Sequence, residues 1–551
     1  MILTALRSES GSPSFASSAP GAPAARALVA GHGSHDAWLL AQHLGRRRGL
    51  TVIVCAQASD CVRLADEIAW FAPTLRVRLL PDWETLPYDR LSAHQDLVSE
   101  RLATLAAMLE RSLDVLVIAA STAAHRLAPP SYLAGRSFSY VKGQRLDERA
   151  LRARLVLAGY QNVSQVVGPG EFSVRGSLID LFPMGTALPL RIDLFDDEID
   201  SIRTFDPESQ RGLYPVDRIE LLPGREMPLD DDSRAAFRGR WRERFEGDPT
   251  RSIIYRDVGN GIASPGIEYY LPLFFDQPAT LFDYLPEAAE LVLHGPIQDA
   301  LVAFRRDAQE RFRFLGADPE RPGLRPDELF LDAEQFFVRA RDWTRSTVRR
   351  PDESAGDDTR PPAVAVNRRH QDPVAALRLA LERPSGEPLI MIAESPGRLQ
   401  TLEDFLAEYE IRLPRFDDWQ SIAGRLDGDH SGEPGPRRAA PDGATDRAAA
   451  DGATDRAATV GEAIGAPLPP HAWLGHGPIS TGFSVPGRFA LVTETELFPA
   501  FVRRTAGARE QATRVDQLIR DLSELSAGDP VVHAQHGIGR YQGLVNLDTG
   551  E

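Results

Sequence analysis

From residue 27 to about 119, short apolar runs alternate with segments in which apolar residues recur every three or four positions. This predicts strands at 27–29, 51–54, 75–80 and 115–119, with helices opening near Asp36, Asp60 and Asp96. In the third helix Val98, Leu102, Leu105 and Leu109 share one face. Alternating β and α elements build a parallel sheet covered by helices, the kind of fold that ordinarily binds nucleotides. Past about 131 the period changes. An amphipathic helix with Leu151, Leu155 and Leu157 gives way to runs at 172–175, 177–182, 188–195 and 199–205, which predict a strand-rich α+β insert over 131–217. The acidic Asp196-Asp197-Glu198 between two alternating runs predicts a hairpin.

Mixed structure resumes over 218–341, and the charged, proline-bearing stretch 342–362 is expected to link domains. A second, small α/β domain follows over 363–504, with a strand at 389–392 and a helix from about Arg398 to Tyr409. It is interrupted at 427–470 by a stretch in which DGATDRAA occurs at Asp442 and again at Asp451. With almost no large apolar residues this stretch cannot bury a core, so a disordered insertion is expected, as it is for residues 1–25. Val515, Leu518, Ile519 and Leu522 mark a connecting helix over 505–527. The residues from Gly528 to Glu551 suffice for about two strands, so they open a β domain without closing it, and the chain is expected to be a fragment.

Length and charge narrow the picture. A chain of 551 residues exceeds one core and implies three to five domains. A formal net charge of −17 argues against sequence-independent coating of DNA, so nucleic-acid contact has to be local. Cys55 and Cys61 are too few for a disulfide framework, which implies a reducing, cytoplasmic setting. No signal peptide or run of about 20 apolar residues is found, so no membrane partner is expected.

The chemistry expected of a nucleotide fold is missing its central residue. A phosphate-binding loop after the first strand needs GxxxxGK[ST], because backbone amides cradle the phosphates while the lysine neutralises them. The chain has AGHGSHDAWL over Ala30 to Leu39: Gly31 and Gly33 remain, but the only lysine in the sequence is Lys142. No DExH run supplies the usual acids for Mg²⁺ either. His32, His35 and Asp36 cluster in that one loop without a distant partner and are better read as a solvated polar loop than as a metal site; His533 and His536 read as turn and packing residues. The chain is therefore expected to be non-catalytic, without cofactor or metal.

One run, LLPDWETLPYDRLSAHQDLVSERL from Leu79 to Leu102, combines Trp83, Tyr88 and two prolines between a strand end and a helix. It closely resembles the corresponding segment in the amino-terminal half of bacterial transcription-repair coupling factors. GEFSVRGSLIDLFP (170–183), RIDLFDDEIDSIRTF (191–205) and GIEYYLPLFF (266–275) agree in order and spacing. GDPVVHAQHGIGRYQG (528–543) resembles the opening of that family's RNA-polymerase-interacting domain, and it separates the chain from excinuclease B, which the first half also resembles.

The resemblance implies a multidomain α/β chain: a degenerate helicase-like parallel α/β domain at 26–130, completed by 218–341, around an inserted α+β domain that binds excinuclease A. The small α/β domain and an incomplete barrel-like domain at 528–551 follow. It implies a recruitment scaffold for transcription-coupled excision repair, with ATP, Mg²⁺ and most DNA contact belonging to a carboxy-terminal motor; the alternative is an ATP-dependent DNA helicase or a damage-verification enzyme like excinuclease B. Phe172, Arg175 and Phe182 are the candidate residues for excinuclease A, with the competing reading that both phenylalanines are core and Arg175 is solvated. Leu547, Arg540 and Tyr541 are the candidates for the RNA polymerase β subunit. Trp83 and Tyr88 read as architecture that identifies the family without marking an active site.

Overall fold

Buried β-branched runs organise the first part of the chain. In a computed structural model, which describes residues 26–349, 357–382, 387–426, 472–499, 530–533 and 537–540, the protein forms two compact units divided between Asp357 and Asp358. The repeat-bearing stretch 427–470, residues 1–25, the helix expected over 505–527, and Tyr541 and Leu547 lie outside the described residues.

The first unit is built on a parallel sheet. Its strands are β1 (Arg26–Val29), β2 (Thr51–Cys55), β3 (Val77–Leu80), β4 (Val115–Ala119), β13 (Glu290–His294) and β14 (Thr344–Arg349), in the order β1-β14-β13-β2-β4-β3. All residues of β2, β4 and β13 are buried, as expected where helices cover both faces. Helices α1 (His35–Leu44), α2 (Ala58–Phe71) and α3 (Gln95–Leu109) connect the early strands. Because β14 completes this sheet, the stretch expected as linker from 342 begins inside the first unit.

The insert is bracketed by β5 (Phe138–Val141) and β12 (Arg218–Leu221), which pair antiparallel and bring its two ends together. Between them, β6 (Gln161–Asn162), β7 (Glu171–Arg175), β8 (Leu178–Leu181), β9 (Leu190–Phe195), β10 (Glu198–Phe205) and β11 (Gly212–Pro215) form one sheet in reverse chain order. The helix Glu148–Leu157, capped by the Asp147 carboxylate on Arg149 N and Ala150 N, turns Leu151 and Leu155 inward. One apolar core continues from Val52, Leu102 and Leu105 into Leu155, Ile179, Ile192 and Ile202, so insert and parallel sheet are packed as one body. Polar contacts fix the junction: Gly185 N donates to Ser99 Oγ at 2.7 Å, and Gln95 Nε2 donates to Gly224 O at 3.0 Å.

In the second unit, β15 (Leu389–Ala393), β16 (Ala472–His476), β17 (Phe483–Val485) and β18 (Phe489–Thr493) are ordered β16-β15-β18-β17, with β15 parallel to both neighbours. β15 is buried throughout, and Ser395 caps the helix Pro396–Glu408 behind it. β19 (Pro530–His533) and β20 (Gly537–Arg540) form an antiparallel pair.

Candidate docking face and the closed phosphate loop

The loop after β1 is where the fold would hold a phosphate, and its polar groups are turned onto one another. Gly33 takes φ 55°, and Gly31 N donates to His35 Nδ1 at 2.8 Å, directing that amide inward. Asp36, buried at the start of α1, accepts from Arg63 Nη1 and Nη2 at 2.9 and 2.8 Å and pairs with His294 Nε2 at 2.9 Å. Arg63 also donates to Glu67 at 2.8 Å and Asp60 at 3.2 Å, and Ser34 Oγ donates to Glu67 at 2.8 Å.

Burial alone would push the Asp36 carboxyl up; hydrogen bonds from His294 and Arg63 outweigh it and hold the group far below the usual carboxylate range. Burial lowers His35, against the pull of Asp36. The loop expected to be a solvated polar segment is thus corrected at His35 and Asp36, both buried: α2 and β13 supply the partners of Asp36, and Gly31 N of the loop itself bonds His35. Among the described residues no group of three or more His, Cys, Asp or Glu side chains has metal-holding geometry. A guanidinium held by three carboxylates can meet a phosphate only by breaking those pairs.

The insert presents the second candidate surface. Alternation along β9 turns Leu190, Ile192 and Leu194 inward and Arg191, Asp193 and Phe195 outward. Across the sheet Arg175 stands opposite Leu178, and Leu178 opposite Asp193, so these side chains and Phe195 share the outer face. Arg191 is held to Asp180 by Nε–Oδ1 at 2.6 Å and Nη2–Oδ2 at 2.9 Å, and lies over the Phe205 ring at 4.8 Å. Phe195, at the hairpin tip beside Asp196 in the left-handed region, is 80% exposed.

Of the residues singled out from sequence, Arg175 is exposed and donates to Ser164 O. Phe172 and Phe182 are both buried. Phe172 is fully buried opposite Leu181, and Phe182 packs with Val166 and Phe205. Phe172 supports the sheet from within, whereas Phe182 is covered on the side of Arg191, which lies over the Phe205 ring; of the three candidates Arg175 is the exposed one. Phe195 escapes the sequence reading, although a signal for it is present: it breaks the inward phase of Leu190, Ile192 and Leu194 just before an acidic turn. At the other end, Arg540 closes β20 opposite Pro530, whereas Tyr541 and Leu547 fall beyond the described strands. No helix among the described residues is long and apolar enough to cross a membrane.

Comparison with known proteins agrees with this division. Residues 138–227, the bracketed insert, match the family model of the UvrB interaction domain, and residues 525–551 match the CarD-like/TRCF RID domain. The chain is similar to the transcription-repair-coupling factor of Escherichia coli K12, with 37% identity over 94% of this chain and 42% of the relative. The proteins of the same name from Haemophilus influenzae and Myxococcus xanthus are 34% and 30% identical over 94% and 93% of this chain, and 42% of each relative. The chain thus spans about two-fifths of the length of these relatives.

Proposed function

This chain is a homologue of the transcription-repair-coupling factors over 94% of its length, and from that premise we propose that it is a recruitment scaffold for transcription-coupled nucleotide excision repair. The insert docks excinuclease A through the outer face of its sheet, with Arg175 and Phe195 as contacts. The observation that carries this reading is the coincidence of the matched interaction domain, 138–227, with a sheet that holds an 80% exposed phenylalanine at its tip. A large aromatic left in water on the same sheet face as an exposed arginine has the composition of a binding hot spot.

The segment matched over 525–551 begins the tether to RNA polymerase. In this reading β19 and β20 are the first strands of a barrel-like domain, and the edge of β20 away from β19 accepts a polymerase strand; Arg540, Tyr541 and Leu547 are the proposed contact residues. The phosphate loop, tied up by Asp36, Arg63 and His294, takes no nucleotide; ATP, Mg²⁺ and DNA translocation belong to a motor outside these residues. The setting is the bacterial cytoplasm.

Biolayer interferometry of the chain against immobilised excinuclease A tests the reading. Saturable binding is expected, and its absence at every concentration the chain reaches in solution would refute it. In parallel, Mg-ATP turnover above the buffer blank would overturn the non-catalytic part.

A further inference from the structure

The strand ends opposite the closed phosphate loop carry a second set of cations. In a parallel sheet all strands begin at one end, and β2, β4 and β3, neighbours in that order, are each preceded there by arginine. Arg46, Arg47 and Arg48 come before Thr51, Arg111 before Val115, and Arg76 before Val77. Two cavities open between them, of about 170 and about 310 Å³, with Gly49 and Asp114 in the walls of both. We propose that the smaller cavity, walled by Arg47, Arg48 and Thr51, binds a phosphate group, free or carried on an ester. The inference does not depend on excinuclease A as the partner of the insert.

The acids among these strand ends are already matched. Asp114 accepts from Arg76 Nε and Nη2, both at 2.9 Å, and Glu290 pairs with Arg47 Nε at 2.8 Å and with His43 Nε2 at 3.1 Å. Arg48 in the smaller cavity and Arg111 in the larger have no acidic partner among the described residues. Glu110 and Glu287, exposed acids adjacent in the chain to lining residues, stand in neither wall. A surplus of cations remains inside the cavities, and it selects an anion. The carbonyl end of α1, at Leu44, would oppose one, but the carbonyls of Ala41, His43 and Leu44 are taken by the amides of Gly45, Arg46 and Arg47.

The donors specify which anion. Thr51 is 1% exposed, and its Oγ1 has no hydrogen-bond partner among the described residues; Arg47 Nε lacks one too, despite the ion pair with Glu290. A buried hydroxyl without a partner is costly, and a ligand that accepts from it removes the cost. Two guanidinium groups and a hydroxyl line one small cavity. A tetrahedral phosphate group offers an oxygen to each, where a planar carboxylate is used up by one guanidinium fork. At about 30 Å³ per water the space equals a handful of waters, which suits such a group and is too small for a helix or strand of a partner.

The larger cavity gives an ester room for its body. Leu50, Met108, Leu113 and Pro286 line it with Arg111. Gly49, at φ 98°, holds a turn that favours glycine and puts no side chain into the wall the two cavities share.

The test is isothermal titration calorimetry of the whole chain with inorganic phosphate and, separately, with adenosine monophosphate, in chloride buffer of constant ionic strength. Saturable binding of at least one is expected, weakened about tenfold in Arg48→Gln and about fivefold in Thr51→Val. Arg48 is exposed and Thr51→Val nearly keeps the side-chain shape, so both variants should fold, as circular dichroism can verify. Tighter binding of the monophosphate would assign an ester as the ligand and equal affinities the phosphate group alone; either supports the site. Arg306→Gln, which removes an equal charge from an exposed position on the helix Ile297–Leu315, is expected to leave binding unchanged. No saturable binding of either compound, unchanged affinity in Arg48→Gln, an equal loss in Arg306→Gln, or acetate binding as tightly as phosphate would each overturn the proposal.

Discussion

Arg101 and Glu226, 125 residues apart in the chain, form a bidentate ion pair out of contact with solvent, with Nε–Oε1 at 2.6 Å and Nη2–Oε2 at 3.2 Å. Glu226 also accepts from Trp83 Nε1 at 3.0 Å, and Arg101 Nη1 donates to Pro81 O at 2.7 Å. The run from Leu79 to Leu102 is thereby stitched to the segment that leaves the insert. Glu226→Ala strands a buried guanidinium, and urea unfolding is expected to show a loss of about 3–5 kcal/mol. A loss under about 1 kcal/mol would mean that the pair does not hold the junction.

The phosphate-loop network makes a pH prediction. The Asp36 carboxyl is held low by His294 and Arg63 in the folded chain, so its contribution is present above the ordinary carboxylate pKa and lost as pH falls. Arg63→Met removes the largest compensating charge and is expected to cost about 3 kcal/mol near neutral pH. It should also flatten the decline of melting temperature between about pH 5 and about pH 3. An unchanged acid profile would show that Asp36 is not held by this arginine.

Glu268 gives the opposite sign. Burial pushes its carboxyl up to about 7, against hydrogen bonds from its own backbone and Ser92. A carboxyl raised in the folded state stabilises most at low pH, and that contribution disappears as pH rises through about 7. Glu268→Gln, which mimics the protonated form, is expected to match wild type at about pH 5 and exceed it at about pH 8, by up to about 3 kcal/mol. Equal stability at both would contradict the burial effect.

Two phenylalanines of the insert should separate folding from docking. Phe172→Ala opens a cavity opposite Leu181 and is expected to cost about 3–5 kcal/mol. Phe195→Ser changes a side chain already in water and is expected to alter stability by no more than about 0.5 kcal/mol. Comparable losses from both, by thermal unfolding, would place Phe195 in a packing role.

The first half of the parallel sheet is legible in the sequence because β2 and β4 are buried on both faces and so carry apolar runs, whereas β13, which begins with Glu290 and ends with His294, lies in the stretch read only as mixed structure. The docking sheet is legible as alternation, but its phase is not: a phenylalanine in the GEFSVRG run draws attention, whereas only register tells which side it faces. Phe172 faces in and Phe195 out. The contacts joining Arg63 to Asp36, His294 to Asp36 and Arg101 to Glu226 cross 27, 258 and 125 positions. Local periodicity carries no information over such separations, so these pairs emerge only once the strands are ordered.

The most direct measurement is the dissociation constant of the chain for excinuclease A, for wild type and the Arg175→Glu, Phe195→Ser double variant. Both side chains are exposed on the outer face of the insert, so the fold should survive, as circular dichroism and melting temperature can verify. If that face recruits excinuclease A, the double variant binds at least about a hundredfold more weakly, the loss expected of two hot-spot residues. Wild-type affinity in a folded double variant would contradict it.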